Sequence, residues 1–384
     1  MRRALLGLAI LAFSPSIFPQ AAYPSRTIST VVGFLPGGGT DAVARILAKT
    51  LSENVGQQVV VENKAGAGGN VAADHVAKSA PDGYTVLLGN VGSLAVAPHL
   101  VAKLPYDPLK DLAPITMAVV FANVLVVDPN LGVSTLAEFV KLAKDKPGTV
   151  TYGSSGIGGA GHLAGELFKM MAKIDIVHVP YKGGGPAMQG LLGGQVAAIF
   201  ATPVSSNPQR KAGKVKTLAT TGAARDPLLA DVPTVAESGY AGYEAVNWYA
   251  YMAPAKTPKE IVERLNRELV KALGAPEARD LLAKQGLEPK PSTSEELAKY
   301  LEREHATWGR VVKEAGIKAQ KKNRGTDKTW SVPRFKVTSM RRAPPRRTAR
   351  LAGRWRPRGR SHRRSCRPSP WGCRLALAPL PPRS

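Results

Sequence analysis

Short apolar runs and amphipathic stretches alternate along most of the chain. Thr27 to Phe34 (TISTVVGF) has the length and β-branched content of a strand, and it runs into Pro36-Gly37-Gly38-Gly39. From Thr40 or Asp41 the apolar spacing becomes helical, with Val43, Ile46, Leu47 and Leu51 on one face. Gln58 to Glu62 is the next strand, followed by Gly66-Ala67-Gly68-Gly69 and a helix through Val71, Ala72, His75 and Val76. Pro81-Asp82-Gly83 turns the chain into strand Tyr84 to Gly89. The same order returns later. Strand Val150 to Gly153 leads into Ser154-Ser155-Gly156-Ile157-Gly158-Gly159, then a helix carrying Leu163, Leu167, Phe168 and Met171. Strand Ile174 to Val179, Gly183-Gly184-Gly185, a short helix around Met188 to Leu192 and strand Gln195 to Phe200 follow. Thr257-Pro258-Lys259-Glu260 reads as a capping box with proline at the first helical position, ahead of Ile261, Leu265, Leu269 and Leu273. Thr293 and Glu296 read as a second capping box. This alternation predicts an α/β fold with parallel sheets. Its recurrence predicts two lobes of like topology, each with glycine-rich loops at the carboxyl ends of its strands.

The length of 384 residues suits two domains of ordinary size. The two ends read differently from the rest. Arg2 and Arg3, the apolar run Ala4 to Phe13, and Ala21-Ala22 have the three-part form of a removable export signal over residues 1–22. That run is too short to span a bilayer. Charge is equally uneven. The stretch from Lys321 onward holds 20 of the 53 Lys and Arg and one of the 28 acids, leaving a net charge of +6 on the first 320 residues. Residues 321–384 lack apolar periodicity and read as Arg/Pro-rich disorder. A nucleic-acid arm has little use on an exported protein, so a translated extension is the preferred reading and no nucleic-acid partner is expected. Both cysteines, Cys366 and Cys373, lie there, which leaves the folded part without disulfide or thiol chemistry.

The glycine-rich strand-to-helix turns carry the sharpest chemical signal. Glycine allows a tight turn and close approach of a ligand, while a helix start offers free N–H groups and partial positive charge. Such a turn binds an anion without a basic side chain. Pro36 to Asp41 and Ser154 to Gly159 contain no Lys or Arg, so backbone amides and the hydroxyls of Thr40, Ser154 and Ser155 are the candidate donors. Other chemistries fit less well. Gly156-Ile157-Gly158-Gly159-Ala160-Gly161 satisfies a dinucleotide-binding pattern, but Asp175 begins the next strand instead of ending it. Ser154 and Ser155 lie outside any G-x-S-x-G elbow. His162 and Glu166 share a helix face with no third ligand at metal spacing, so they read as a local polar pair. His75, His99, His178 and His305 read as isolated, and Asp41 with Arg45 as a helical ion pair. Neither an enzyme, a metal nor a cofactor is expected.

Several stretches together resemble the solute receptors of tripartite tricarboxylate transporters, the Bug family. They are FLPGGGTDAVARILA, VENKAGAGGNVAADHVAKSAPDGYTVLLGN, YGSSGIGGAGHLAGELF, VHVPYKGGGPAMQGLLGGQV, DVPTVAESG and NWYAYMAPAKTPKEIVERLNREL, within Tyr23 to about Gln320. The resemblance implies a two-lobed periplasmic binding-protein fold (Venus flytrap, type II-like) with two crossovers between lobes. By analogy, residues 23–123 and 248–320 form lobe 1 and residues 124–247 form lobe 2. It implies a periplasmic monomer that captures a small organic carboxylate for membrane transporter subunits, or alternatively reports its bound state to a sensor kinase. The two loops would pinch one carboxylate, partly through ordered waters. The candidate ligand-binding set is Gly37, Gly38, Gly39, Thr40, Asp41, Asn90, Ser154, Ser155, Gly156, Gly158, Gly159 and Ala201. One stretch departs from the family pattern: where relatives carry acids in GQVD-x-x-FD, this chain has Ala197 and Ala201. An acid missing from the cleft removes a partner for an amino group, which argues against amino-acid ligands.

Overall fold

In the computed structural model, the described residues are 23–314. The expected signal segment and basic tail lie outside them. Two β-sheets organise the fold. The first lobe begins with β1 (Ile28–Val32), α1 (Gly39–Val55), β2 (Val59–Asn63), α2 (Asn70–Ala77) and β3 (Thr85–Asn90). A π-helical segment, Gly92–Val96, runs into the short α3 (Ala97–Leu100) and then the long β4 (Leu112–Ala122). After Asn123 the chain enters the second lobe as β5 (Val124–Val127), followed by α4 (Leu136–Asp145), β6 (Thr151–Ser154), α5 (Ala160–Ala172) and β7 (Val177–Pro180). The second lobe is completed by α6 (Gly184–Leu192), β8 (Ala198–Ala201), α7 (Pro203–Lys211) and β9 (Lys216–Thr220). The chain returns as β10 (Val246–Pro254) and finishes with α8 (Lys259–Gly274), α9 (Pro276–Ala283), β11 (Glu288–Pro289) and α10 (Ser294–Glu314).

The first sheet has the order β11-β4-β10-β3-β1-β2 and the second β7-β6-β8-β5-β9. The expectation of parallel sheets needs correction, since both are mixed. β10 is antiparallel to β3 and β4, and β5 is antiparallel to β8 and β9. β5 and β10 border the two passages between lobes, and β11 is a further antiparallel strand at the edge beside β4. A chain that leaves one sheet directly for another has no crossover helix to bring it back in the parallel sense.

Helices cover both faces of each sheet, so the strands are buried on both sides and read as near-continuous apolar runs. In β10, VNWYAYMAP, every residue after Val246 is buried. On one face of the first sheet Leu47, Leu51, Leu265 and Leu269 pack against β1 and β4, and on the other Leu94, Leu297 and Leu301 surround Trp248. Phe139, Phe168 and Tyr152 fill one face of the second sheet, and Met188 and Leu191 the other.

The two expected capping boxes fare differently. Thr293 and Glu296 exchange side-chain and backbone hydrogen bonds at 2.9 and 3.1 Å. Thr257 does not cap α8. Pro258 occupies the N-cap position, which leaves the Thr257 hydroxyl one residue outside the helix and without a partner.

Both passages between lobes meet at one side chain. The Asn123 N–H donates to Thr221 Oγ1 at 2.9 Å, and that hydroxyl donates to the Ala245 carbonyl at 2.8 Å. The Thr221 N–H bonds the Asn123 carbonyl at 2.9 Å. Thr221 thus ties the outgoing and returning strands where the lobes join.

Candidate functional site

The N-termini of four helices from both lobes converge on one enclosed space. Gly38, Gly39 and Thr40 bring the start of α1, and Ala160 and Gly161 the start of α5. Gly184 opens α6, and Thr202 is the N-cap of α7. The starts of α1, α5 and α6 offer backbone N–H groups without intrahelical partners and roughly half a positive charge each, whereas α7 opens on Pro203, which has no N–H, and brings the Thr202 hydroxyl. The side walls are Phe34, Ala187, Ile199, Phe200 and Ala201, and the wall nearest the lobe junction carries Asn123, Asn247 and Tyr249. No Asp, Glu, Lys, Arg or His is among the lining residues. The cavity is about 20 Å³, room for roughly a single water. Walls from both lobes stand close together around this space.

Close contact between the lobes requires glycine at Gly68, while at Gly38 there is room for a Cβ and little more. A Cβ on Gly38 would lie 3.4 Å from the Gly184 nitrogen of the opposite lobe. On the flank, Gly68 at φ +68° presses against the Ile157 carbonyl, a position closed to other residues by both conformation and contact. The Leu35 N–H also bonds the Lys182 carbonyl across the cleft at 3.1 Å.

Of the candidate residues, Gly38, Gly39, Thr40, Asn90, Ser155 and Ala201 line the cavity. Asn90 is buried, and its Oδ1 accepts from the Ser93 N–H and hydroxyl at 3.2 and 2.9 Å, which orients its Nδ2 as the free donor. Gly37, Asp41, Ser154, Gly156, Gly158 and Gly159 stand behind this lining and build the two loops. Asp41 accepts from the Gly37 N–H at 3.2 Å, Arg45 Nε at 3.1 Å and Asn63 Nδ2 at 3.0 Å. Burial pushes the Asp41 carboxyl up, but these donors outweigh it and hold its pKa below the usual value. The expected pairing with Arg45 is present at 3.0 Å. Asn63 also donates to the Phe34 carbonyl at 2.9 Å, so one acid and one amide fix the first loop.

The second loop is held by two histidines. His178 Nε2 lies 2.7 Å from Ser154 Oγ, and that hydroxyl accepts the Gly156 N–H at 3.2 Å. His162 Nδ1 accepts the Gly158 N–H at 3.2 Å, and the two imidazoles lie 4.1 Å apart. Burial lowers the pKa of His162, and it lowers that of His178 to about 2 with help from His162 and Lys169. Both rings are therefore neutral, as an acceptor Nδ1 on His162 requires.

The reading of His178 as isolated is thus corrected, as is that of His99 and His305, whose ring centroids lie 4.3 Å apart. His162 and Glu166 are not partners either. Glu166 accepts from the Tyr152 hydroxyl at 2.7 Å and from Lys169 at 3.2 Å. Sequence reasoning passed over Asn123, Gly184, Thr202, Asn247 and Tyr249, which also line the cavity. The glycine triplet 183–185 was a visible signal for α6. Thr202 before Pro203 was one for α7. Asn123, Asn247 and Tyr249 carry no local signal, because only the sheet crossing brings them to the cleft.

Comparison with known proteins agrees with this geometry. The BugT protein of Bordetella pertussis is 39% identical over 297 residues, covering 77% of this chain and 91% of that protein. A solved R. palustris protein with adipate is 39% identical at a TM-score of 0.74, covering 77% of this chain and 98% of that one. MatC from Rhodopseudomonas palustris with bound malate is 34% identical at a TM-score of 0.73, covering 76% and 100% respectively. The sequence profile of the tripartite tricarboxylate transporter family receptor matches residues 43–317, and the chain belongs to that family of solute receptors.

Proposed function

We propose that this chain is a periplasmic receptor that captures a small organic carboxylate between its lobes and presents it to the membrane subunits of a tripartite tricarboxylate-type transporter. The observation that carries this reading is the convergence of four helix N-termini on a cavity lined by no charged side chain. Partial charges and oriented N–H groups attract an anion there, and hydroxyls from Thr40, Ser155 and Thr202 add donors. Hydrogen bonds to a charged group net about 1.5–3 kcal/mol each. Three or four approach the roughly 8 kcal/mol of a micromolar site, less the costs of association and closure. The structural relatives holding adipate and malate support a carboxylate as the ligand class.

Ala201 lines the cavity where an acid would otherwise face an ammonium group, which favours carboxylates without an amino group. The twelve candidate residues divide accordingly into a contact set (Gly38, Gly39, Thr40, Asn90, Ser155 and Ala201) and a loop-building set (Gly37, Asp41, Ser154, Gly156, Gly158 and Gly159). A thermal-shift screen of mono-, di- and tricarboxylates tests the reading. A ligand at 100 times its Kd adds about 2.7 kcal/mol of stability. Stabilisation by at least one carboxylate and by none of the matched methyl esters is the expected result; stabilisation by esters and acids alike would reject it.

A further inference from the structure

The second loop joins the lobes as well as lining the cavity. A Cβ on Gly92 of lobe 1 would lie 2.8 Å from the Gly158 carbonyl, and Gly68 of lobe 1 presses on the Ile157 carbonyl. Gly156 in turn approaches the Gly68 backbone, where its own Cβ would lie 3.4 Å from the Gly68 nitrogen. Two successive carbonyls of the loop thus seat in hollows that only glycine leaves open. A small turn of the peptide between or beyond them unseats both.

What fixes that turn is one imidazole. His162, in the first turn of α5, accepts the Gly158 N–H on Nδ1 at 3.2 Å. This needs a neutral ring with its proton on Nε2. An imidazolium carries N–H donors on both nitrogens, so no rotation of the ring restores the bond, and two buried donors then face each other.

The surroundings make His162 the group that takes a proton. On its own helix Glu166 favours the charged ring and Lys169 opposes it. Glu166 is already engaged by the Tyr152 hydroxyl of β6 at 2.7 Å and by Lys169 at 3.2 Å. From β7 comes His178, 4.1 Å away, which burial, His162 and Lys169 hold down to about 2 and so keep neutral. From lobe 1, Gly68, Gly92 and Leu100 reach the loop and bring no charge. Burial holds His162 itself below the ordinary 6.5 in the seated loop. A form in which the loop leaves lobe 1 and water reaches the ring binds the proton more readily. Acidity therefore favours parted lobes, and neutrality favours touching ones.

We propose that His162 is a proton switch for lobe contact. The neutral ring seats the second loop against lobe 1; a proton on it unseats the loop, parts the lobes and releases what they hold. The release step rests on the carboxylate reading above, and the loop step does not.

Amide and histidine-ring NMR spectra of the ligand-free full chain between pH 7.5 and 4.5 test the loop step. The His162 ring, the Gly158 amide and the lobe 1 amides of Gly68 and Gly92 should shift with one common midpoint. In His162→Asn, which keeps a side-chain acceptor and cannot take the proton, those amides should hold still; His162→Gln serves where the asparagine chain fails to fold. Lobe 1 amides that stay put while the His162 ring titrates overturn the inference, as does a ring that stays neutral to pH 4.5. Calorimetric titration with adipate and malate, or with the acid that stabilises most in the thermal-shift screen, tests release. One group of ordinary pKa 6.5 in the parted form weakens binding by up to about tenfold from pH 7.5 to 5.5. The unmodified chain should lose at least about threefold more affinity over that interval than His162→Asn, which shares the ligand's own titration. Equal losses in the two chains overturn the release step and leave the carboxylate site standing. Absence of heat from both acids, together with a failed thermal-shift screen, removes the carboxylate site and with it the release step.

Discussion

Replacing His162 with alanine removes the acceptor that holds the Gly158 N–H at 3.2 Å and the ring stacked 4.1 Å from His178. Gly158 belongs to the loop that carries Ser155 into the cavity, so the loss falls on stability and on binding together. Leaving one buried donor unpaired costs about 1–3 kcal/mol, and the space left by a 7% exposed ring adds to it. A total near 3 kcal/mol lowers Tm by roughly 5 °C for a folded body of this size, at about 2.1 cal/mol/K of unfolding entropy per residue. Carboxylate affinity should fall about tenfold, or 1.4 kcal/mol, because the loop must be reordered on binding. His162→Asn is the control, since its side-chain oxygen reaches nearly the position of Nδ1 and restores the acceptor without the ring. It should recover most of the affinity and part of the Tm. Scanning calorimetry and titration of both variants settle the matter. An alanine variant with unchanged Tm and affinity, or an asparagine variant no better than alanine, refutes the positioning role.

Acid should destabilise the protein earlier than carboxylate titration alone explains. Both buried histidines have folded pKa values depressed below the ordinary 6.5, His178 to about 2. Their contribution is complete above pH 6.5 and lost as pH falls below it. The slope is up to about 1.4 kcal/mol per pH unit for each proton, and Tm measured from pH 7.5 to 4.5 checks it. Asp41, also depressed, adds its loss only below about pH 4. Gly38→Val keeps an allowed backbone, since φ is −100°, but its side chain meets Gly184 of the other lobe. Titration should show binding lost while Tm stays within about 2 °C, since the variant blocks closure and not folding; undiminished affinity would mean that closure does not depend on this approach. Ala201→Asp puts an acid into the cavity wall and should weaken any carboxylate more than tenfold, about 1.4 kcal/mol; competition titration reads the change.

The first lobe was legible because its signals are local. A β-branched run, three glycines and a helical apolar face within Thr27 to Leu51 state a strand, a turn and a helix without outside help. Long-range features were not. β4 and β10 are buried on both faces and lack the alternation that marks a strand, so neither their antiparallel pairing nor the mixed sheets could be read. The same limit applies to the cavity. Gly38, Gly39, Thr40 and Ser155 announce themselves as loop chemistry, whereas Asn123 and Asn247 meet only through the register of two strands more than a hundred residues apart. Asp41 and Ser154 sit in the right loops but turn their oxygens back onto the backbone, a choice decided by Asn63 and His178 from neighbouring strands. Thr257 shows the reverse: a motif present in sequence that one shift of helix start leaves unused.

The central claim is that backbone N–H groups at helix starts from both lobes hold the anion. A crystal structure of the full chain with its tightest carboxylate tests it most directly. The account predicts carboxylate oxygens within about 3.2 Å of backbone nitrogens, directly or through one ordered water, at the starts of at least two of the four helices. At least one of those helices should belong to each lobe, with the amides drawn from Gly39, Thr40, Gly161 and Gly184. A carboxylate bound to a lysine or arginine outside the cleft, with these amides uncontacted, contradicts it.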